Sequence, residues 1–470
     1  MSLKIKRFKL KAPDAIVLIL VLLILASIFT YVLPTGEYTR VLDSAKGVNV
    51  VDPYSYHPIE RNPVSFWGIL QAVPRGLNES AEIINFLLII GGIFGILKGT
   101  GALDSVLKMA MVKLKGRERL IIPVILIFWG LGGAIIGNFE ECLAFLPLHI
   151  TLCLALGFDS ITGVALGMCG VGVGYIGAIL NPFTIITAQK IADVPILSGI
   201  ELRIVSFIVL MAITIVYIYI YAGKIQKNPK LSPMYEQDLK SPYRENDLLS
   251  KDITFTVKQK SALAIFVLGI VVLVYGVVVH HFYLTEIAAV FVGTGILCGL
   301  AGGLSLNETV RHFVKGAENL VYAAICVGFA RAITVIMMDG KILDVIVYGF
   351  SNMVQGLPLQ ISAVGMFVLQ SFINIFIPSG TGQAVISMPI MTPLADVIGL
   401  TRQTAVLAFQ FGDGITNLFT PTAGDLMAAI AIGGISYGKW FKWFWKLMGL
   451  WYIACSVILI IATIIGYGPV

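Results

Sequence analysis

Apolar runs of about 20 residues succeed one another along the chain, the length that crosses a hydrocarbon core roughly 30 Å thick when wound as a helix. The first lies near positions 15–33, and others fall near 82–97, 261–280, 286–304 and 320–337. One further run begins near Leu120 and another ends near Tyr221. Between those two the pattern turns irregular: Gly137 to Glu141, Gly157 to Asp159 and Asn181-Pro182 interrupt apolar pieces too short for a simple crossing. Broken helices and re-entrant hairpins satisfy such a pattern, because backbone that leaves the helix at membrane depth must be buried in protein or line a cavity. The pattern predicts an all-α polytopic membrane protein.

Composition agrees. Of 470 residues, 57% are hydrophobic and 13% charged, against roughly 45–50% and about 25% in a soluble domain, which excludes a water-soluble globule. Of the 33 basic and 27 acidic residues, 60 in all, the stretches 1–12, 34–62, 99–119 and 222–260 hold 32, so charge marks the loops. Lys4, Lys6, Arg7, Lys9 and Lys11 precede the first run, and basic residues cluster again between Lys108 and Arg119 and between Lys224 and Lys260. Positive loops stay on the cytoplasmic side, so the amino terminus is expected inside and 34–63 outside. The first run exceeds the core of a signal peptide and no small-residue cleavage pattern follows it, which argues for a retained span. The net charge of +6 is then a topology signal, not a nucleic-acid footprint. Cys142, Cys153, Cys169, Cys298, Cys326 and Cys455 stand singly in apolar segments without metal or CxxC spacing and read as small buried hydrophobes.

Compared with itself at an offset near 240, the chain aligns Arg75-Gly76 with Lys315-Gly316, Leu103-Asp104 with Leu343-Asp344, Pro147 with Pro389 and Gly157 with Gly399. Thr162, Val164, Gly170 and Gly172 meet Thr404, Val406, Gly412 and Gly414; Pro182 meets Pro421 and Gly199 meets Gly438. Glycine and proline fix turns and helix breaks, so both copies are expected to break at the same places. The charge signals put the loop before the Gly76 span outside and the Lys315-Gly316 loop inside, which makes the copies inverted. Inverted repeats with matched breaks are the architecture of secondary transporters, whose substrate sits near the bilayer midplane. The expected division is an amino-terminal span and outer loop (1–62), a first repeat (63–223) with a hairpin at 137–157, a cytoplasmic linker (224–260), two scaffold spans (261–304), and a second, inverted repeat (305–470) with a hairpin at 378–399.

The first hairpin tip reads Gly137-Asn138-Phe139-Glu140-Glu141 and the second Pro378-Ser379-Gly380-Thr381-Gly382-Gln383. Two adjacent carboxylates at membrane depth cost several kcal/mol unless a cation, a proton or a cavity meets them; the bland alternative is a solvated tip at the membrane surface. Second breaks follow at Asn181-Pro182-Phe183-Thr184 and from Gly412 to Asn417, leading to Thr420-Pro421-Thr422. Proline frees carbonyls there for an ion, and half-helix amides for an anion. Asp413 and Asp425 add carboxylates suited to an ammonium or guanidinium group, with helix capping as the alternative, weightiest for Asp425. Arg331, the one clear intramembrane arginine, needs a partner in Asp339, Asp344 or an anionic substrate. The balance of four acids against it favours a cationic or zwitterionic solute. His149 fits a hydrogen-bonded packing residue better than a proton relay.

Two enzyme-like matches carry no chemistry. The elbow pattern from Gly434 to Gly438 has no histidine after Ser436, and the glycines from Gly172 to Gly177 lie in an apolar run where they suit close helix packing, not a dinucleotide. Trp440, Trp443, Trp445, Trp451 and Tyr452, interleaved with Lys439, Lys442 and Lys446, read as an interfacial belt. An enzyme would bring nucleophile, base and acid or a metal cluster together, and a channel would not call for inverted copies.

The tips, together with Pro34-Thr35-Gly36-Glu37-Tyr38, Asp52-Pro53-Tyr54-Ser55-Tyr56-His57, Gln410-Phe411-Gly412-Asp413-Gly414 and Thr420-Pro421-Thr422, resemble the YfcC-like proteins over nearly the whole chain. Those are grouped with the C4-dicarboxylate anaerobic carriers of the DcuC type and, more distantly, with the ion transporter superfamily. The resemblance implies a homodimer in a bacterial inner (plasma) membrane, with a scaffold, a mobile transport domain, two opposed hairpins and elevator-like alternating access. It places substrate at Asn138, Glu140, Glu141, Asn181, Ser379, Gly380, Thr381, Asp413, Asn417, Thr420 and Thr422. Thr184, Gly382 and Thr416 are ion-binding candidates, and Arg331 an anion or structural partner. Where relatives carry Ser-Asn-Thr at each tip for sodium, this chain has Asn-Phe-Glu and Ser-Gly-Thr. The expected function is exchange or import of arginine, ornithine or lysine, with a C4-dicarboxylate carrier coupled to sodium or protons as runner-up. Its expected partners are that small solute, a coupling cation, membrane lipid and a second copy, with no nucleic acid, metal or cofactor.

Overall fold

A computed structural model describes residues 15–43, 48–52, 54–244, 256–280, 282–354 and 358–468; the basic amino-terminal signal at Lys4 to Lys11 lies outside them. The first apolar run forms α1 (Ala15–Val32). The segment after α1, read from sequence only as a polar loop, folds into β1 (Gly36–Glu37), β2 (Arg40–Asp43), β3 (Val48–Val51) and β4 (His57–Pro58), with β1 antiparallel to β4 and β2 to β3. Asp344 anchors it by accepting from the Tyr38 amide at 3.0 Å and from Arg40 Nη2 at 2.8 Å.

Helices account for the rest. The first copy runs through α2 (Phe66–Glu79), α3 (Ala81–Gly99), α4 (Ala102–Lys113), α5 (Ile121–Ile135), α6 (Phe139–Ala155), α7 (Ser160–Gly177), α8 (Thr187–Ile191) and α9 (Ile200–Lys227). After the linker helix α10 (Tyr235–Asp238) come α11 (Val257–His280) and α12 (Leu284–Ala301). Then follow α13 (Leu306–Asp339), α14 (Leu343–Val354), α15 (Leu359–Phe376), α16 (Gly380–Ile398), α17 (Arg402–Thr416), α18 (Gly424–Ile432) and α19 (Tyr437–Ile464). The element order from α2 to α9 thus recurs from α13 to α19, with the continuous α13 standing where α2 and α3 are separated at Ser80. Among the described residues, nine segments are long and apolar enough to cross a membrane.

Glycine brings the two copies together. The α2–α3 pair lies antiparallel on α13: Arg75 pairs with Asp339 at 2.5 Å near one end, Gly76 meets Gly328 and Ala332, and Gly91 and Gly95 meet Gly316. A methyl group on Gly76 or Gly316 would run into the facing backbone, so only glycine permits this approach. At the centre, every residue of α7 except Tyr175 is buried, as is every residue of α17 except Arg402. Helices α5 and α6 lie against α7, and α15 and α16 against α17. The six cysteines are buried free thiols.

The tryptophans of α19 correct the interfacial reading. Trp440, Trp443 and Trp451 are buried and only Trp445 is exposed, because positions 440, 444, 447, 451 and 455 recur at helical spacing on one inward face. The Trp440 indole donates to the Leu418 carbonyl at 2.9 Å and that of Trp451 to Thr214 Oγ1 at 3.0 Å.

Candidate functional site

Four interruptions of helix converge. The chain breaks between α5 and α6 at 136–138, with Gly137 at φ +81°, and between α15 and α16 at 377–379. The segments 137–157 and 378–399 therefore each hold a break and the helix after it, the leading arms being α5 and α15. The other two breaks follow α7, where Ala178 sits at φ 37°, and α17. A cavity of about 300 Å³ opens where they meet. Gly137, Phe139 and Glu140 line it from the first tip, Pro378 to Thr381 from the second, and Asn417, Thr422 and Asp425 from beyond α17. Glu79, Ser80, Arg331 and Thr334 close it from α2, α3 and α13, with Tyr175, Phe183 and Tyr283 as aromatic walls.

Its polarity is lopsided. Glu79, Glu140 and Asp425 face it, and Arg331 is the basic side chain among its described lining residues. Asp425 occupies the first turn of α18 and makes no cap hydrogen bond; its Oδ1 is buried without a partner. Arg331 Nε donates to Glu79 Oε2 at 2.9 Å, whereas Asp339 is taken by Arg75 and Asp344 by Arg40. The expected arginine partners are thus replaced by Glu79, which the antiparallel packing of α2 on α13 brings across.

Of the remaining candidates, Ser379, Gly380, Thr381, Asn417 and Thr422 line the cavity, whereas Asn138, Glu141, Asn181, Thr184, Gly382, Asp413, Thr416 and Thr420 are not among its lining residues. Asp413, fully buried, accepts from Asn374 Nδ2 at 2.7 Å and Asn417 Nδ2 at 3.3 Å through Oδ1, while Oδ2 has no partner and lies under Gly380. Thr184 Oγ1 and the side-chain oxygens of Asn138 and Asn417 are likewise buried and unpartnered, as is Glu141 Oε2. Thr381 Oγ1 crosses between copies to donate to the Phe183 carbonyl at 2.7 Å. Other candidates are spent locally. Asn181 caps the turn after Pro182 by accepting from the Phe183 and Thr184 amides, Ser379 accepts from Gly382 N, and Thr416 donates to the Gly412 carbonyl. Thr420 and Thr422 share a hydrogen bond at 2.7 Å, and Thr422 reaches the Ile375 carbonyl. His149 lies away from the cavity, its Nε2 accepting from Trp129 Nε1 at 3.2 Å.

Carbonyls expected to be freed for an ion are instead met by side chains. Arg203, a buried arginine that the sequence reading passed over, donates to the Ile179 carbonyl; Gln410 donates to that of Tyr175 and Tyr437 to that of Phe419. Capturing them this way removes the cost of leaving them bare. Glu79, Tyr175 and Tyr283 were also missed. Glu79 closes a strongly amphipathic helix just before an apolar run, a position that marks a charge held at the edge of a span.

Geometry and relatives define the class together: an integral membrane protein of many helices built round a polar internal cavity, in a family of transporters. The chain belongs to the C4-dicarboxylate anaerobic carrier (DcuC) family, whose model matches residues 12–464. It is 33% identical over 97% of both chains to the Escherichia coli protein named "Putative basic amino acid antiporter YfcC". To an uncharacterized protein of Haemophilus influenzae it is 27% identical over 96% of both. Among solved structures it is similar to MtrF of Neisseria gonorrhoeae, described as one of a class of antimetabolite efflux pumps (17% identity, 97% of each chain, TM-score 0.41). It is also similar to the YdaH transporter of Alcanivorax borkumensis (14% identity, 97% of this chain and 100% of that one, TM-score 0.41).

Proposed function

We propose that this protein is a secondary active transporter of a basic amino acid, arginine, ornithine or lysine, working as an antiporter by elevator alternating access. The observation that carries the reading is the cavity between the two tips, where three carboxylates face one guanidinium already paired to one of them. Among the described residues Glu140 and Asp425 then have no protein cation to balance them on the cavity wall, and a cationic side chain of the substrate supplies it. The volume sits at the lower end of ligand pockets, about 300–1,000 Å³, which suits a small solute. The name borne by the Escherichia coli relative points the same way.

In this reading α1 to α4 and α11 to α14 form the scaffold, α5 to α9 and α15 to α19 the moving part, and the 121–155 and 359–398 segments the opposed re-entrant hairpins. The protein works as a homodimer in the inner membrane with its amino terminus in the cytoplasm. Asp413, whose free Oδ2 lies beside Gly380, as the methyl of Thr184 does, is the place for a coupling proton or cation. The family description favours a dicarboxylate instead, for which Arg331 would hold the anion.

One experiment separates the two. Protein reconstituted in liposomes preloaded with arginine is offered labelled arginine or labelled succinate. Arginine exchange without succinate uptake supports the basic amino acid; the reverse pattern replaces it with the dicarboxylate.

A further inference from the structure

The Glu79–Arg331 pair is the part of the cavity wall that charge balance alone does not explain. Its members come from α2 and α13, 252 positions apart, and both side chains are 38% exposed where they border the cavity. A pair that only fastened the two helices would be redundant, since Arg75 and Asp339 already join them nearer the end and glycine contacts lie between. The contact is a single hydrogen bond from Nε to Oε2. It leaves the edge formed by the two Nη groups for bidentate binding of another carboxylate, and the second oxygen of Glu79 is an acceptor for an ammonium. Beside them stand the Ser80 and Thr334 hydroxyls, Thr334 lying one turn beyond Arg331 on the same face of α13.

We propose that the Glu79–Arg331 pair is the head-group subsite of the cavity: Arg331 binds the α-carboxylate of an amino acid and Glu79 its α-ammonium, leaving the distal cation for Glu140 and Asp425. This rests on the basic amino acid reading and adds its polarity, a zwitterionic end toward α2 and α13 and a cationic end toward α6 and α18. The pair thereby selects amino acids over polyamines and other simple cations, which the carboxylates alone cannot do. With the ligand absent the two residues satisfy each other, so neither charge is left bare on the wall.

The test is competition for labelled arginine uptake in proteoliposomes by unlabelled arginine and by agmatine, which keeps the guanidinium and lacks the carboxylate. Wild-type protein is expected to prefer arginine on the order of 10- to 100-fold, the worth of one charge-assisted carboxylate contact. In Arg331→Gln that preference collapses to within about threefold while agmatine competes as before. Because the single variant strands Glu79, the double variant Glu79→Gln/Arg331→Gln is measured beside it; there agmatine loses only its ammonium contact and arginine loses both contacts, so the preference for arginine is again lost, and residual agmatine competition shows that the site is folded. Undiminished preference for arginine in both variants overturns the head-group subsite alone, as does equal loss of both ligands. If wild-type protein takes up no arginine, the basic amino acid reading fails first and the subsite falls with it.

Discussion

After the break at the first tip stand Phe139-Glu140-Glu141, and the matching positions at the second tip, aligned through Pro147 and Pro389, are Thr381-Gly382-Gln383. One helix further on the charge changes sides: Val171, between Gly170 and Gly172, matches Asp413, between Gly412 and Gly414. Glu141 and Gln383 have nearly the same shape and opposite circumstances. Gln383 donates to the Gln370 carbonyl at 2.9 Å and its Oε1 at 2.6 Å, and accepts from Asn374 at 2.9 Å. Glu141 keeps a buried oxygen with no partner. Similar backbone in the two copies sets where the breaks meet, but their side chains divide the labour. The first tip brings carboxylates, one with a buried oxygen that has no partner, and the second tip is neutral, with Gln383 hydrogen-bonded through both ends of its amide.

The reciprocal exchange at this pair has the largest expected effect. Gln383→Glu turns a donor into a charged acceptor facing two oxygens of Gln370, a buried uncompensated charge that costs roughly 3–5 kcal/mol. Thermal melting of the detergent-solubilised protein should drop steeply. Glu141→Gln should leave melting unchanged or raise it, because the amide is cheaper to bury than the carboxylate. Equal destabilisation by the two would erase the distinction between the tips.

Next in size are effects on transport. Glu140→Gln should lower labelled arginine uptake on the order of 10- to 100-fold at unchanged melting, from the loss of a charge facing the substrate. At the second tip, Thr381→Ala removes the hydrogen bond to the Phe183 carbonyl, worth about 0.5–1.5 kcal/mol, and should cost uptake only a few-fold. A neutral effect of Glu140→Gln with a severe one for Thr381→Ala would move the binding role to the second tip.

Much of this was legible in the residues. Gly137 and Pro378 marked the two tips, and the shared Pro182 and Pro421 the two later breaks, but the shared Pro147 and Pro389 and the glycines at 170, 172, 412 and 414 lie inside continuous helices, because a helix held by its neighbours absorbs them. Glu140 and Asp425 were legible as carboxylates in apolar surroundings. What escaped the sequence depends on which helix faces which: Glu79 meets Arg331 only because Gly76 lets α2 lie on Gly328 of α13. Break residues were illegible for a related reason. Asn181 and Thr184 sit three positions apart in the same motif, yet Asn181 turns its oxygen back to cap the chain while the Thr184 hydroxyl stays free. Arg203 hid because its partners are backbone carbonyls, which every sequence carries.

The smallest effect sharpens the comparison at the other end of the central helices. Asp159 caps α7 by accepting from the Thr162 amide, and the matching Thr401 caps α17 by accepting from that of Thr404. Each cap is covered by chain that follows the long helix of its own copy. Ser232 of the linker and Tyr221 donate to Asp159, while Thr401 donates to the Tyr467 carbonyl. Only the first cover carries a second acid, Asp238, which accepts from the Ser160 amide at 3.1 Å and whose carboxyl is pushed up to about 6, chiefly by burial. The docked linker therefore holds its proton to about pH 6, whereas a free aspartate releases it near 4. Docking gains most below about pH 4, and the gain is lost as the pH rises through about 6. Hydrogen exchange of residues 229–244, corrected for intrinsic rate, should show protection falling a few-fold from pH 5 to 7.5, with screening keeping the change below the full linkage. Asp238→Asn should flatten the profile and leave the carboxy-terminal cover at Tyr467 untouched. Protection that rises with pH, or an identical profile in the variant, would mean that the linker is held by Asp159 and its hydroxyl partners alone, as Thr401 is held in the second copy.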